Sequence, residues 1–210
     1  MSMTLLDEVR SGTALPLVPI SLDQYQHMID AGIFQDGDSI ELLDGLLVRK
    51  DRSARGEDLM THGLRHMLLI KRLQRLLSRP CETAGWHLQI QLPVTLTNIN
   101  LPEPDITIVR GTEEDYAKRY PGPADLPLVI EVADSSLSID QTTKQRLYAT
   151  AGVPQYWVVN LPESVVEVYE LPDATAGKYA RHDSYGLGQT ISLILSPKQT
   201  LEINVTELLR

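Results

Sequence analysis

The segment Pro127-Leu-Val-Ile-Glu-Val-Ala133 constrains the fold more than any other. From Leu128 to Ala133 it is apolar without alternation, apart from one acid. Such a run reads as a central strand, covered on both faces. Side chains alternate along a strand, so Glu131 shares a face with Val129 and Ala133, while Ile130 and Val132 take the other. A carboxylate in such a strand is costly unless it is paired or bound to a metal. The plainer reading is a strand-end glutamate leaning into solvent, or a structural ion pair.

The rest of the chain supplies partners for that strand. Ser21-Leu-Asp-Gln24 forms a capping box ahead of a short helix stopped at Gly32. Ile40 to Lys50 predicts two short strands turning at Asp44-Gly45. Arg52 to Asp58 reads as a polar loop. Thr61 to Arg79 predicts a helix with Arg65, Lys71, Arg72, Arg75 and Arg79 in one sector. Met67, Leu69, Ile70, Leu73, Leu76 and Leu77 lie opposite, and His62 and His66 point with the leucines. Strands are expected over Trp86–Leu92, continuing at Val94–Thr97, then over Asp105–Arg110 and Leu128–Ala133. Gly111 to Asp125 reads as a surface excursion. A helix over Ile139–Ala151 is followed by strands at 155–160, 165–170, 178–185 and 190–195, and Asn204 caps a last helical turn. The expectation is an α/β (α+β) mixed sheet with flanking helices and a β-rich C-terminal extension. Residues 1–19 form an N-terminal arm and 20–210 a single domain.

With 210 residues, 42% hydrophobic and 22% charged, the chain has an ordinary globular composition and enough length for one core. The first 19 residues carry Asp7, Glu8 and Arg10 and no long apolar stretch, which does not fit a signal peptide. No run approaches roughly 18 apolar residues, so no membrane span is expected. Cys81 is the single cysteine, fitting a reducing cytoplasm. A net charge of −9 argues against a protein that grips nucleic acid over its whole surface.

Four residues have one chemical purpose in common: Glu41, Asp105, Glu131 and Lys144. Carboxylates at adjacent strand ends hold a hard cation such as Mg²⁺ through oxygen, and a lysine beside them acts on an attacking water. Asp105 opens a strand directly after Pro104, where an aspartate also caps turns. Lys144 lies on the apolar helix face with Asp140, Leu147, Tyr148 and Ala151, where the plainer readings are a snorkelling lysine or a pair with Asp140. Glu41, taken alone, reads as an exposed hairpin acid. His62 and His66 have zinc-ligand spacing but no third ligand, so two satisfied inward histidines are the simpler account. His62, near the helix start, is also placed to touch a substrate phosphate.

Together these motifs resemble the Uma2 family of restriction-endonuclease-like proteins, within the PD-(D/E)XK nuclease superfamily. The matching stretches are Glu41-Leu-Leu-Asp-Gly45, His62, Pro102-Glu-Pro-Asp105, Leu128-Val-Ile-Glu-Val132, Asp140-Gln-Thr-Thr-Lys144 with Leu147-Tyr148, and Ala151-Gly-Val-Pro-Gln-Tyr-Trp-Val-Val-Asn160. The resemblance implies a restriction-endonuclease-like core. It makes Asp105 and Glu131 metal-binding acids with Glu41 as an additional one. The superfamily lysine two residues after the second acid is here Ala133, and Lys144 from the following helix takes its place. Asn160 and Asp134-Ser-Ser also depart from the usual pattern. The implied activity is a Mg²⁺-dependent DNA endonuclease, with Mn²⁺ as a substitute cation. Because duplex cleavage needs two cuts, a homodimer is expected, with the segment from Lys178 to Leu195 as its surface. The alternatives are a catalytically silent nucleic-acid-binding or accessory protein that keeps the fold, and a structural homo-oligomer.

Overall fold

The computed structural model describes residues 17–34, 38, 40–50, 59–196 and 199–209. Most of the expected N-terminal arm and the loop from Arg52 to Asp58 lie outside the described residues. Helix α1 (Leu22–Asp30) starts at the expected capping box, with the Gln24 N–H donating to Ser21 Oγ and the Ser21 N–H to Gln24 Oε1. The hairpin β1 (Ile40–Leu43) and β2 (Leu46–Arg49) turns at Asp44 and Gly45, whose φ angles are 51° and 71°. Two positive φ values match the right-handed twist of the strands. A side chain at Gly45 would also strike Pro19, 2.3 Å from the added Cβ.

Helix α2 (Leu59–Thr83) runs past the expected end at Arg79 and carries Pro80 inside it. Proline costs a helix one hydrogen bond, but the final turn buries Cys81 completely against Leu77 and the sheet, and that packing prevails. Cys81 is therefore a core residue of the helix. Met67, expected on the apolar face, is 46% exposed.

Six strands form the main sheet in the order β3 (Trp86–Ile90), β4 (Ile106–Arg110), β5 (Leu128–Ala133), β6 (Gln155–Asn160), β7 (Val165–Asp173), β8 (Lys178–Tyr185). Every neighbouring pair is antiparallel except β5 and β6. That parallel pair requires a crossover, and helix α3 supplies it. It begins as an α-turn over Leu137–Ile139, widens to a π-turn over Asp140–Lys144 and returns to α over Gln145–Thr150. The expected strand at Val94–Thr97 is not part of this sheet, because the chain leaves β3 at Gln91 with φ 50°. From Gly111 to Asp125 the chain makes two short 3₁₀ turns, as a surface excursion would.

The alternation in β5 sorts the core as read from the sequence. Ile130 and Val132 pack with Leu73 and Leu77 of α2, and Val129 and Ala133 pack with Leu147 and Tyr148 of α3. The C-terminal hairpin β9 (Thr190–Ser196) and β10 (Gln199–Asn204) leads into α4 (Val205–Leu209), where the Thr206 N–H donates to Asn204 Oδ1. Ile191, Leu193 and Ile203 are buried in this chain's own core beside α2. The mixed sheet, its flanking helices and the β-rich extension are as expected. Among the described residues no helix is long and apolar enough to cross a membrane.

Candidate active site

Glu41 is drawn inward by pairing beyond its own hairpin. Leu42 bridges Leu101, whose N–H donates to the Leu42 carbonyl at 2.8 Å, and this brings β1 against the segment before β4. Glu41 is consequently 2% exposed, not a surface acid, and its Oε1 accepts the Glu103 N–H at 2.8 Å.

Glu131 is also 2% exposed and faces α3. Lys144 descends onto it from the π-turn. The ammonium lies 2.9 Å from Glu131 Oε1 and 3.0 Å from Glu41 Oε1, and Tyr148, one turn on, donates its hydroxyl to Glu131 Oε1 at 3.1 Å. The π-turn itself is anchored to two further strands. Tyr156 of β6 donates to the Asp140 carbonyl at 3.0 Å, and Gln141 donates to Glu167 of β7 at 2.8 Å. Glu167 also accepts from Asn160 and Tyr169, so Asn160 has a structural partner of its own. π-Turns are rare and recur at functional sites.

Asp105 sits one residue before β4, and continuing the β4–β5 register by one pair sets it opposite Glu131. Its Oδ2 accepts the Val132 N–H at 2.9 Å and lies 3.0 Å from His66 Nε2. Its Oδ1 is 3.3 Å from the Gln91 amide and 3.8 Å from Lys50 Nζ. Lys50 donates to the Glu103 carbonyl at 2.5 Å, so Lys50 and Glu103 link Asp105 to Glu41.

The two central acids are tuned in opposite directions. For Asp105 burial alone would raise the pKa, but the His66 hydrogen bond, the charge of Lys50 and the Val132 N–H outweigh it and hold the carboxyl well below its usual range. Burial lifts Glu131 well above an ordinary glutamate, with the Lys144 charge as the main counterweight. Burial also disfavours charge on Lys144, but the carboxylates of Glu131 and Glu41 outweigh it and hold its pKa far up. The two directions compete for one proton. Two donors converge on Glu131 Oε1, so we place that proton on the lysine. Burial raises Glu103 as well. His66, which burial alone would depress, is raised on balance by its bond to Asp105.

Glu41, Glu131 and Lys144 thus meet directly, and Asp105 joins them through Val132. The side chain of His62 lies outside the described residues. The sequence reading did not place His66, Lys50, Gln91, Glu103 and Tyr148 at the site. His66 carried a signal, a polar residue on an apolar helix face, and so did Tyr148, in phase with Lys144. Lys50, Glu103 and Gln91 carried none, because a turn and a strand end bring them in.

The donors fit a hard cation by their chemistry. Asp105 and Glu131 offer carboxylate oxygens, and the closest contacts to Glu41 and Glu131 all fall on Oε1. Among the described residues no group of three or more His, Cys, Asp or Glu side chains is placed to hold a metal ion. Mg²⁺ does not need such a cage, since it binds through one or two carboxylates and keeps several waters.

Comparison with known proteins agrees with this architecture. The sequence model of the family described as "Uma2: Putative restriction endonuclease" matches residues 22–206. A crystal structure from Anabaena variabilis ATCC 29413, described as "a putative nuclease belonging to DUF820", superposes with a TM-score of 0.66 at 16% identity, covering 91% of this chain and 98% of that one. At that identity the likeness establishes the fold. Curated proteins gave no match. With most of its length matched by the family model, the chain belongs to the Uma2 family.

Proposed function

We propose that this protein is a divalent-metal-dependent DNA endonuclease that hydrolyses phosphodiester bonds. One observation carries the reading: Glu41, Glu131 and Lys144, from three separate segments, converge on one buried contact, with Asp105 bound to the backbone next to Glu131. A structural ion pair needs two partners, not a lysine shared by two acids beside a third.

Asp105 and Glu131 would hold Mg²⁺ or Mn²⁺. When bound, the ion supplies charge neutralisation and makes water acidic enough to attack at neutral pH. In the reaction the water oxygen bonds to phosphorus, one P–O ester bond breaks, and the leaving oxygen takes a proton. Asp105 is suited to its role because it stays ionised across the working pH range. Lys144 is held as an ammonium, so its role is to orient groups and stabilise charge rather than to accept the water's proton. Glu41 anchors Lys144 and, through the Glu103 N–H, the loop carrying Asp105. Two-fold association would bring two such sites to one duplex. A cytoplasmic location belongs to the same reading, resting on a single, buried, unpaired cysteine.

The test is cleavage of a plasmid with Mg²⁺ or Mn²⁺ by the wild type, Glu131→Ala and Lys144→Ala. Metal-dependent cutting that falls on the order of 10²- to 10⁴-fold in both variants supports the proposal. A wild type that cuts no DNA or RNA overturns it in favour of an accessory protein that keeps the fold.

A further inference from the structure

Lys144 is not placed to meet a substrate first. It is 4% exposed and engaged by Glu41 and Glu131. Two other cation-capable side chains border the same acids from the Asp105 side, and solvent reaches both. The side chain of Lys50 is 25% exposed and that of His66 is 29% exposed. They come from consecutive elements of the chain, Lys50 from just past β2 and His66 from α2.

Both heads are fixed in place. Lys50 Nζ is tied to the Glu103 carbonyl and stands near Asp105 Oδ1, while His66 Nε2 is tied to Asp105 Oδ2. An ammonium has three donors, and among the described residues Glu103 and Asp105 account for two directions. Among the described residues only the Nε2 of the imidazole has a hydrogen-bond partner. The electrostatics require such groups. Glu41 and Glu131 hold the buried Lys144, with Asp140 and Glu103 close to it and Asp105 beside Glu131, in a chain of net charge −9. A phosphodiester approaching that cluster is repelled unless cations line its entry.

We propose that Lys50 and His66 form the substrate-facing edge of the site and bind the non-bridging oxygens of a nucleic-acid phosphodiester beside Asp105. The inference rests on the nuclease reading and assigns the substrate-binding groups within it.

The experiment is fluorescence anisotropy of a labelled DNA duplex, with Ca²⁺ in place of Mg²⁺, over a KCl series. The proteins are the wild type, Lys50→Ala, Lys50→Arg and His66→Gln. Each phosphate neutralised on a duplex contributes about 0.9 to the slope of log K against log salt. Lys50→Ala is expected to lower that slope by about one and to weaken binding roughly tenfold. Lys50→Arg keeps the slope, which separates lost charge from altered fold. His66→Gln keeps a hydrogen bond to Asp105 and loses less affinity. In Mg²⁺-dependent cleavage, Lys50→Ala raises KM more than it lowers kcat. Competition by inorganic phosphate distinguishes a free-anion site from a strand site. Phosphate competing as strongly as an unlabelled strand, per phosphate, overturns the nucleic-acid assignment. Equal affinity and slope for wild type and Lys50→Ala overturn the proposal even if the enzyme cuts. A wild type that neither binds nor cuts any nucleic acid removes the nuclease reading and this inference with it.

Discussion

Replacing Lys144 with methionine isolates what the ammonium contributes, because methionine keeps most of the apolar stem. The lysine contacts two carboxylates at 2.9 and 3.0 Å, and all three residues are at most 4% exposed. Removing one partner of a buried pair costs about 3–5 kcal/mol, since the remaining charge is left without compensation. In a chain of this size each kcal/mol moves Tm by about 2–4 °C, so the loss at alkaline pH is roughly 6–20 °C. The pH dependence identifies the cause. Burial already raises Glu131 in the folded state, and loss of Lys144 raises it further. A carboxyl whose folded pKa lies above its unfolded value of about 4.3 costs nothing while both states are protonated. The cost then grows as pH rises towards the folded pKa and is complete above it. The deficit in Tm is therefore largest near pH 8.5 and shrinks towards pH 5. Calorimetry of wild type and Lys144→Met at both pH values measures it, and adding Glu131→Gln to Lys144→Met should recover part of the loss. A deficit of the same size at pH 5 and pH 8.5, or none at pH 8.5, refutes the argument that Lys144 compensates buried charge.

Asp105→Asn should behave in the opposite way. The carboxyl is held below its usual range, so its contribution is present above the ordinary aspartate pKa and lost as pH falls through the folded value. The variant should lose about 1.5–3 kcal/mol at pH 7, with the gap to wild type closing in acid, as read from urea unfolding at several pH values. Tyr148→Phe removes one donor from Glu131 Oε1 and should cost about 0.5–1.5 kcal/mol while pushing the Glu131 titration, followed by NMR, further up. Cys81 is fully buried with its thiol pushed up to about 12, so a thiol reagent at pH 8 should label it only on unfolding. Rapid labelling of the native protein would contradict its place in the core.

The sheet and its layers were legible because they follow from local pattern. The unbroken run at Leu128–Ala133 did become a strand covered on both sides, and the turn at Asp44-Gly45 closed as its residue types dictate. Glu41 was legible as a candidate but not as a buried one. Its burial depends on Leu42 pairing with Leu101, a contact across some sixty residues that no periodicity announces. The same applies to Lys50 and Gln91, which reach Asp105 from a strand end and a positive-φ turn. The end of α2 was misread because Pro80 is a local stop signal, whereas burial of Cys81 is a tertiary effect. His66 and Lys144 stood out for one reason, that each is a polar residue where the helical period calls for an apolar one.

The π-turn in α3 makes the spacing of this segment as consequential as its composition. Gln141, within the turn, is tied to β7, whereas Lys144 and Tyr148, at its end and one turn beyond, are tied to β5. In a helix each residue advances the side-chain direction by about 100°, and a π-turn amounts to one extra residue. Removing any one residue between Gln141 and Lys144 would leave every named anchor in the protein but set the two groups out of phase. Either Gln141 or Lys144 would reach its strand, not both. The segment thus behaves like a reading frame, in which a deletion of no chemical importance would disable the site as surely as the loss of Glu131.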